Sequence, residues 1–452
     1  MNGQVGAGGS VTKGTGRAAT KGTGRAATGR TRLARRDWLA LAAGLVAAVA
    51  IRVILLPQPG LAGDDDGFLR WVRFISNAGL AHSYDQPISF PAVVPWIWWI
   101  LGSVAPGVLN PTPNDPVVLS LFKLPAVAAD FGMAAIVGWS LRARPGWAVA
   151  GTLAVLLVPM TWYTSAWWGQ LESLYVLPMV AAWLLATRGR FGWAAVAIAI
   201  GLMAKPQALP LAIPFAAFYL RRAGLAGSIR GALIAAVTIV LLWSPFLAAD
   251  GPSRYLTAVG RYAESFSFLS LRAWNPWWML QELVAGDQFV SDAAAIAGPV
   301  TIRWVGIAIT ALLEAAVFLW VWRRPTSSGL AWGLAAASLV AFVALTTMHE
   351  RYDYAAAIFL ILAWPDRLAV GSWILLATAI SLNLLAAVPP GYYGPGSVIP
   401  VGGPLGLAGS LAITIGLGAV LVGLARAEPG DGGDPGDVLP LRPPLSPPVE
   451  AA

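Results

Sequence analysis

Four short polar clusters interrupt an otherwise apolar chain, and each could carry chemistry. The first, Gly63 to Gly67, holds three consecutive carboxylates, Asp64, Asp65 and Asp66. Like charges beside a membrane repel one another unless a cation or substrate offsets them, which suits a general base or the oxygen ligands of Mg²⁺ or Mn²⁺. It equally suits a solvated loop capping the next helix, since Asp is a good N-cap and Phe68, Trp71 and Ile75 recur at helical spacing. The second cluster runs from Trp167 to Tyr175, where Gln170 and Glu172 supply hydrogen-bonding groups at a membrane edge. Its indoles also fit an interfacial aromatic belt followed by a helix cap. In the third, Lys205 precedes Pro206 and Gln207 inside a long apolar run, and a Lys placed on an outer face points to phosphate binding over snorkelling. The fourth, Met348 to Ala355, concentrates His349, Glu350, Arg351, Tyr352 and Asp353. His349 and Arg351 can donate charge-assisted bonds to a phosphate oxygen, while a self-neutralising turn, with Glu350 and Asp353 paired to Arg351, is the alternative.

Two more carboxyl groups stand inside apolar runs. Asp130 and Glu314 are expected as structural polar anchors, because a charge at mid-membrane costs about 2.5 to 3.5 kcal/mol on insertion scales and calls for an internal partner. Lys123 shares a helical face with Asp130 but stands roughly 10.5 Å away by rise.

The elements that must position these groups follow from composition. Of 452 residues, 57% are hydrophobic and only 12% charged, which excludes an ordinary soluble domain. Apolar runs lie near 38–56, 92–109, 117–141, 147–163, 171–187 and 192–220, then 231–249, 300–322, 329–348, 354–364, 371–388 and 404–424. The run 192–220 is too long for one crossing and breaks at Lys205-Pro206-Gln207 into two short helices. The expected fold is therefore all-α, a polytopic transmembrane bundle of about 12 to 14 spans. With no Cys and two His, thiolate metal sites are excluded and an imidazole centre has little to draw on.

Charge then sets topology. Eight of the basic residues behind the net charge of +8 lie within the first 36 positions, ahead of the first apolar run, so the excess reads as cytoplasmic orientation and not as nucleic-acid binding. Arg142/Arg144, Arg188/Arg190, Arg221/Arg222, Arg323/Arg324 and Arg367 mark further inside loops, which turns all four polar clusters outward. The parity fails between Asp66 and Leu141 unless one apolar piece there is re-entrant, interfacial or misdivided. Residues 1–36, with the octamer KGTGRAAT repeated at 13–20 and 21–28, are expected as a disordered basic arm. Residues 37–425 form the membrane domain, and 426–452 a disordered Pro/Gly-rich tail.

Taken in order, the pieces Gly63-Asp64-Asp65-Asp66, Phe90-Pro91, Ala129-Asp130, Trp168-Gly169-Gln170, Lys205-Pro206-Gln207 and Met348-His349-Glu350-Arg351-Tyr352 resemble the GT-C membrane glycosyltransferases. The nearest likeness is to dolichyl-phosphate-glucose glucosyltransferases and to bacterial proteins related to the second mannosyltransferase of GPI-anchor synthesis. The resemblance implies a GT-C-like bundle whose first outer loop carries an amphipathic helix. It implies transfer of one hexose, mannose or glucose, with inversion, from a polyprenyl-phosphate donor to a lipid-linked or cell-envelope glycan acceptor. Asp64 would be the catalytic base, with Asp66 the next candidate, and His349, Arg351 and Lys205 would hold the donor phosphate. Asp65, Gln170, Glu172, Gln207, Glu350 and Tyr352 would line the substrate pocket. No cofactor is expected, although a divalent metal at Asp64–Asp66 stays open. The Ala/Arg-rich composition with only four Lys points to a bacterial plasma membrane and an extracytoplasmic active site. A polyprenyl-linked sugar flippase or transporter is the alternative, since broken helices and intramembrane charges serve transport as well.

Overall fold

A computed structural model describes residues 34–286, 288–390 and 399–427. The expected arm and its repeated octamer, like the Pro/Gly-rich tail, fall almost wholly outside the described residues. The fold is mainly helical. In chain order the helices are α1 Arg35–Leu55, α2 Ala62–Ala78, α3 Val93–Val104, α4 Pro116–Ser140, α5 Pro145–Leu157 and α6 Pro159–Trp162. After a π-helical turn at Tyr163–Trp168 come α7 Glu172–Thr187, α8 Phe191–Leu202, α9 Ala212–Arg222 and α10 Gly224–Trp243. The rest are α11 Gly251–Ser265, α12 Pro276–Ala285, α13 Ile302–Arg323, α14 Ser327–Ala344, α15 Tyr354–Ile361, α16 Arg367–Ala387 and α17 Gly403–Arg426.

Local chemistry sets many of the starts. Proline occupies the first turn of α4, α5, α11, α12 and α17, where its missing N–H is no loss. Asp115, Asn275, Thr326 and Asp366 cap α4, α12, α14 and α16 through their side-chain oxygens. Among the described residues, seven helices are long and apolar enough to cross a membrane: α1, α4, α10 with its extension to Ala249, α13, α14, α16 and α17. The pair Pro145–Leu157 and Pro159–Trp168, bent by 44°, makes an eighth if it is one span. Several of the runs read from hydropathy are shorter pieces, α3, α7, α8 and the eight-residue α15. These helices make the protein membrane-embedded. The two helices expected around Lys205-Pro206-Gln207 are α8 and α9, joined by a short 3₁₀ turn at Pro206–Ala208. In the stretch where parity failed, α3 has 12 residues, a rise of about 18 Å against a hydrocarbon core of about 30 Å.

Burial separates centre from rim. The apolar window of α14 is 89% buried and that of α10 only 6%, so α14 runs through the middle of the bundle and α10 faces outward. All of α15 is buried beside α14. Helix α17 packs on α14 and α16 through small residues, and a Cβ at Gly409, Gly416 or Gly423 would come within 2.5 Å of Trp274, Leu376 or Trp332. Close helix approach through small residues is the usual way apolar helices associate when lipid competes for the same surface.

A second, smaller apolar cluster supports the first polar one. Helix α2 buries Phe68, Leu69, Val72 and Ile75 with Phe90, Trp98 and Phe122. That stripe fixes which way the first turn of α2 looks.

Candidate active site

The acidic triplet does not cap its helix. Leu61 is the N-cap residue of α2 and no side chain caps it, while Asp64 and Asp65 lie in the first turn. Three consecutive helical residues diverge by about 100° each, and the three carboxylates separate accordingly. Asp64 Oδ2 accepts from Trp168 Nε1 at 2.9 Å and from Gln170 Nε2 at 2.6 Å. Asp65 is buried, its Oδ2 accepting from the Gly60 N–H at 2.7 Å. Burial pushes the Asp65 carboxyl up to about 6, against the pull of the Lys123 ammonium and the Gly60 N–H. Asp66 is exposed.

The Trp167–Tyr175 segment is neither an aromatic belt nor a cap. Trp167 and Trp168 are buried, Leu171 is the N-cap residue of α7 without a side-chain bond, and Glu172 opens the helix with its side chain inside the protein. The π-helical turn Tyr163–Trp168 ends at Gly169, whose φ of +79° and close approach to Phe122 Cε1, 2.9 Å from a Cβ position, both require glycine. This turn brings Trp168, Gln170 and Glu172 to bear on one point. Lys123 holds it there: its ammonium donates to Gln58 O and Trp167 O, each at 2.6 Å, joining the α1–α2 connection to the turn.

On that point the third and fourth clusters converge. Lys205 is ion-paired with Glu172, and Arg351 Nε lies 3.2 Å from the same Glu172 Oε1. Arg351 Nη1 donates to Glu350 Oε1 at 2.5 Å, and its guanidinium lies over the Trp168 ring at 4.7 Å. The Lys205 ammonium stands 5.6 Å from the centre of the Tyr352 ring, and His349 packs edge-on against Tyr352 at 5.1 Å. His349 Nδ1 is 3.8 Å from Glu350 Oε2. Burial and the Arg351 charge lower the His349 pKa, which favours neutral imidazole. Burial pushes the Glu350 carboxyl up, but Arg351 and His349 outweigh it and hold the group down at about 2. The self-neutralising turn therefore forms in part: Glu350 pairs with Arg351, whereas both carboxyl oxygens of Asp353 lack a hydrogen-bond partner among the described residues.

Of the eleven residues singled out, Asp64, Gln170, Glu172, Lys205, His349, Glu350, Arg351 and Tyr352 form one connected group. Asp65 faces the α1–α2 connection and Lys123, and Asp66 faces solvent. Gln207 is half-buried in the 3₁₀ turn beside Lys205, and among the described residues its Oε1 lacks a hydrogen-bond partner, as do Glu172 Oε2 and His349 Nε2 in the group itself. Among the described residues, no three His, Asp or Glu side chains converge as metal ligands. The divergence of Asp64, Asp65 and Asp66 does not fit a metal held by the triplet alone.

Tyr262 and Phe266 escape sequence reading, and Trp168, read there as an interfacial indole and part of the Trp168-Gly169-Gln170 piece, has two roles in the group itself. Trp168 both donates to Asp64 and carries Arg351 on its face. Tyr262 of α11 feels the charges of Arg351, Asp64 and Glu350, and Phe266 packs on the His349 ring at 5.7 Å. The stretch that follows α11 is fastened to the fourth cluster: Ser270–Leu271 pairs in parallel with Met348–His349. Nearby, Asp292 is bound bidentately by Arg303 and accepts from Thr346 and Thr347.

The polar anchors lie deeper. Asp130 takes Arg52 Nη2 at 2.9 Å and the hydroxyls of Ser165 and Ser173 at 2.6 and 2.5 Å, and Ser173 shares a bond with Tyr354. Lys123 is not its partner. Among the described residues, Glu314 has no hydrogen bond through either oxygen.

No protein-family model matches the chain, and no curated protein shows significant sequence similarity to it.

Proposed function

We propose that the protein is a GT-C-like membrane glycosyltransferase that moves one hexose, mannose or glucose, from a polyprenyl-phosphate donor to a lipid-linked or envelope glycan acceptor. The observation that carries this reading is the convergence of Asp64 with Arg351 and Lys205. A carboxylate held by Trp168 and Gln170 is joined through the Trp168 ring to Arg351, which meets Lys205 on Glu172, so that one carboxylate and two buried cations from distant parts of the chain belong to one group. In the proposed step the acceptor hydroxyl gives its proton to Asp64, whose Oδ1 takes neither of those two bonds. The acceptor oxygen bonds to the anomeric carbon as the carbon–oxygen bond to phosphate breaks, and configuration inverts. The phosphate leaves with the electron pair, its charge met by Arg351 and Lys205. Neutral His349 can donate one hydrogen bond to the same phosphate.

Placement among apolar helices suits a donor whose tail stays in the bilayer. The expected orientation puts the cluster on the extracytoplasmic face of the plasma membrane, and the short α3 removes the parity conflict if it does not cross. A flippase is favoured by one observation, the buried Arg52–Asp130 group next to Glu172, which extends polar groups below the cluster.

The test is transfer of radiolabelled sugar from synthetic polyprenyl-phosphate mannose and glucose into lipid and glycan of membranes holding wild type, Asp64→Asn or Asp66→Asn. Asp64→Asn is expected to lower incorporation by at least about 100-fold, the scale of a lost general base, with protein level unchanged. Asp66→Asn is expected to behave as wild type. Full activity in Asp64→Asn removes the proposed base, and incorporation from neither donor turns the reading toward the flippase.

A further inference from the structure

Glu314 takes no part in the cluster described above. It lies about 18 Å of helix rise beyond Ile302 and about 14 Å before Arg323, close to the middle of α13. Its side chain is 4% exposed and neither oxygen has a partner among the described residues. An intramembrane carboxyl without a partner is an expensive feature and marks a functional site by default. The residue lines a widely open cavity of about 630 Å³, together with Ile213 of α9, Ile307, Thr310 and Phe318 of α13, and Leu345 at the end of α14. That volume falls in the ordinary range of small-ligand sites, about 300 to 1,000 Å³.

The cavity is selective in what it offers. Thr310 donates its hydroxyl proton to Gly306 O at 2.8 Å, so its oxygen faces a ligand only through lone pairs. Glu314 stands one turn further along the same face and accepts in either protonation state. The remaining lining side chains are apolar. A complementary ligand is a hydrocarbon chain that brings its own hydrogen-bond donor. We propose that this cavity is a lateral lipid site whose ligand is a single chain bearing a hydroxyl or amide N–H that bonds to Glu314. The site shares no residue with the proposed transfer centre and does not rest on that reading.

The test uses the full-length protein in nanodiscs and a long-chain primary alcohol carrying a photoreactive diazirine, with its methyl ether as the donor-free control. The alcohol is expected to label α13 peptides saturably, and the ether about tenfold more weakly, the weight of one hydrogen bond. Glu314→Leu is expected to reduce alcohol labelling by a similar factor, and Glu314→Gln, whose amide oxygen still accepts, to retain it. Ala315→Trp, which fills the cavity, is expected to abolish it. Elution as a single species and an unchanged melting temperature qualify each variant as folded. Equal labelling by alcohol and ether, absence of saturable labelling, or labelling indifferent to Glu314→Leu overturns the proposal.

Discussion

Asp65 has a pH dependence separable from the transfer chemistry. A carboxyl whose folded pKa is raised, from 3.8 to about 6 here, adds stability below the unfolded value and loses it as pH climbs through the folded one. The loss is on the order of 3 kcal/mol, since each pH unit between the two values carries about 1.4 kcal/mol. Melting of detergent-solubilised protein between pH 4 and pH 7 should show wild type falling behind Asp65→Asn by about that much. A constant gap between the two contradicts the assignment of Asp65 as a buried acid. The Arg52–Asp130 pair gives a second expectation. Asp130→Leu strands a buried guanidinium and should cost about 3 to 5 kcal/mol, while Arg52→Leu together with Asp130→Leu should cost markedly less. Chemical denaturation of wild type and the two variants reads this directly. At this scale the sequence was informative where residue type betrays expense: Asp64, Glu172, Lys205 and Arg351 could be suspected because charges at membrane edges need partners. It offered the neighbouring Glu350 as a partner for Arg351 but none of the partners that come from distant parts of the chain. Asp130 bonds Arg52 from another helix, and Lys123 bonds two carbonyls, because such pairings depend on helix packing that no local spacing encodes.

Helices were legible to the extent that apolar runs and breakers coincide. The Lys205-Pro206-Gln207 interruption and the amphipathic stripe of α2 could be read in advance, since proline and a 3.6-residue period are local properties. The π-helical turn at Tyr163–Trp168 could not, because one extra residue per turn leaves no compositional mark. Runs such as 92–109 looked span-like by hydropathy, yet the helix inside is only Val93–Val104. Helix α17 carries its own prediction. Gly423→Leu would drive a side chain into the Trp332 ring, 2.5 Å from a Cβ position, and overpacking of this kind costs about 1 to 3 kcal/mol. Gly418→Leu, on a face with open space, should be nearly neutral. Equal melting temperatures for both variants would mean that α17 does not pack as described.

The whole molecule can be tested for sidedness without preliminary engineering, because the chain contains no cysteine. Single cysteines at Gln288 and at Ser327 are expected to react with an impermeant thiol reagent from opposite sides of the membrane, Gln288 from outside. Reaction of both from one side breaks the proposed orientation. The stretch between α11 and α13 also bears on how the protein could be assembled. Leu269 N–H bonds Val290 O, Asp292 N–H bonds Ser267 O, Arg303 Nη2 donates to Ser267 Oγ, and α12 packs against α17. These bonds bridge the connection after Gly286 from both directions. A chain divided there, and expressed as two polypeptides, retains non-covalent contacts on each side of the cut. Such halves should find each other in the membrane and restore the complete bundle.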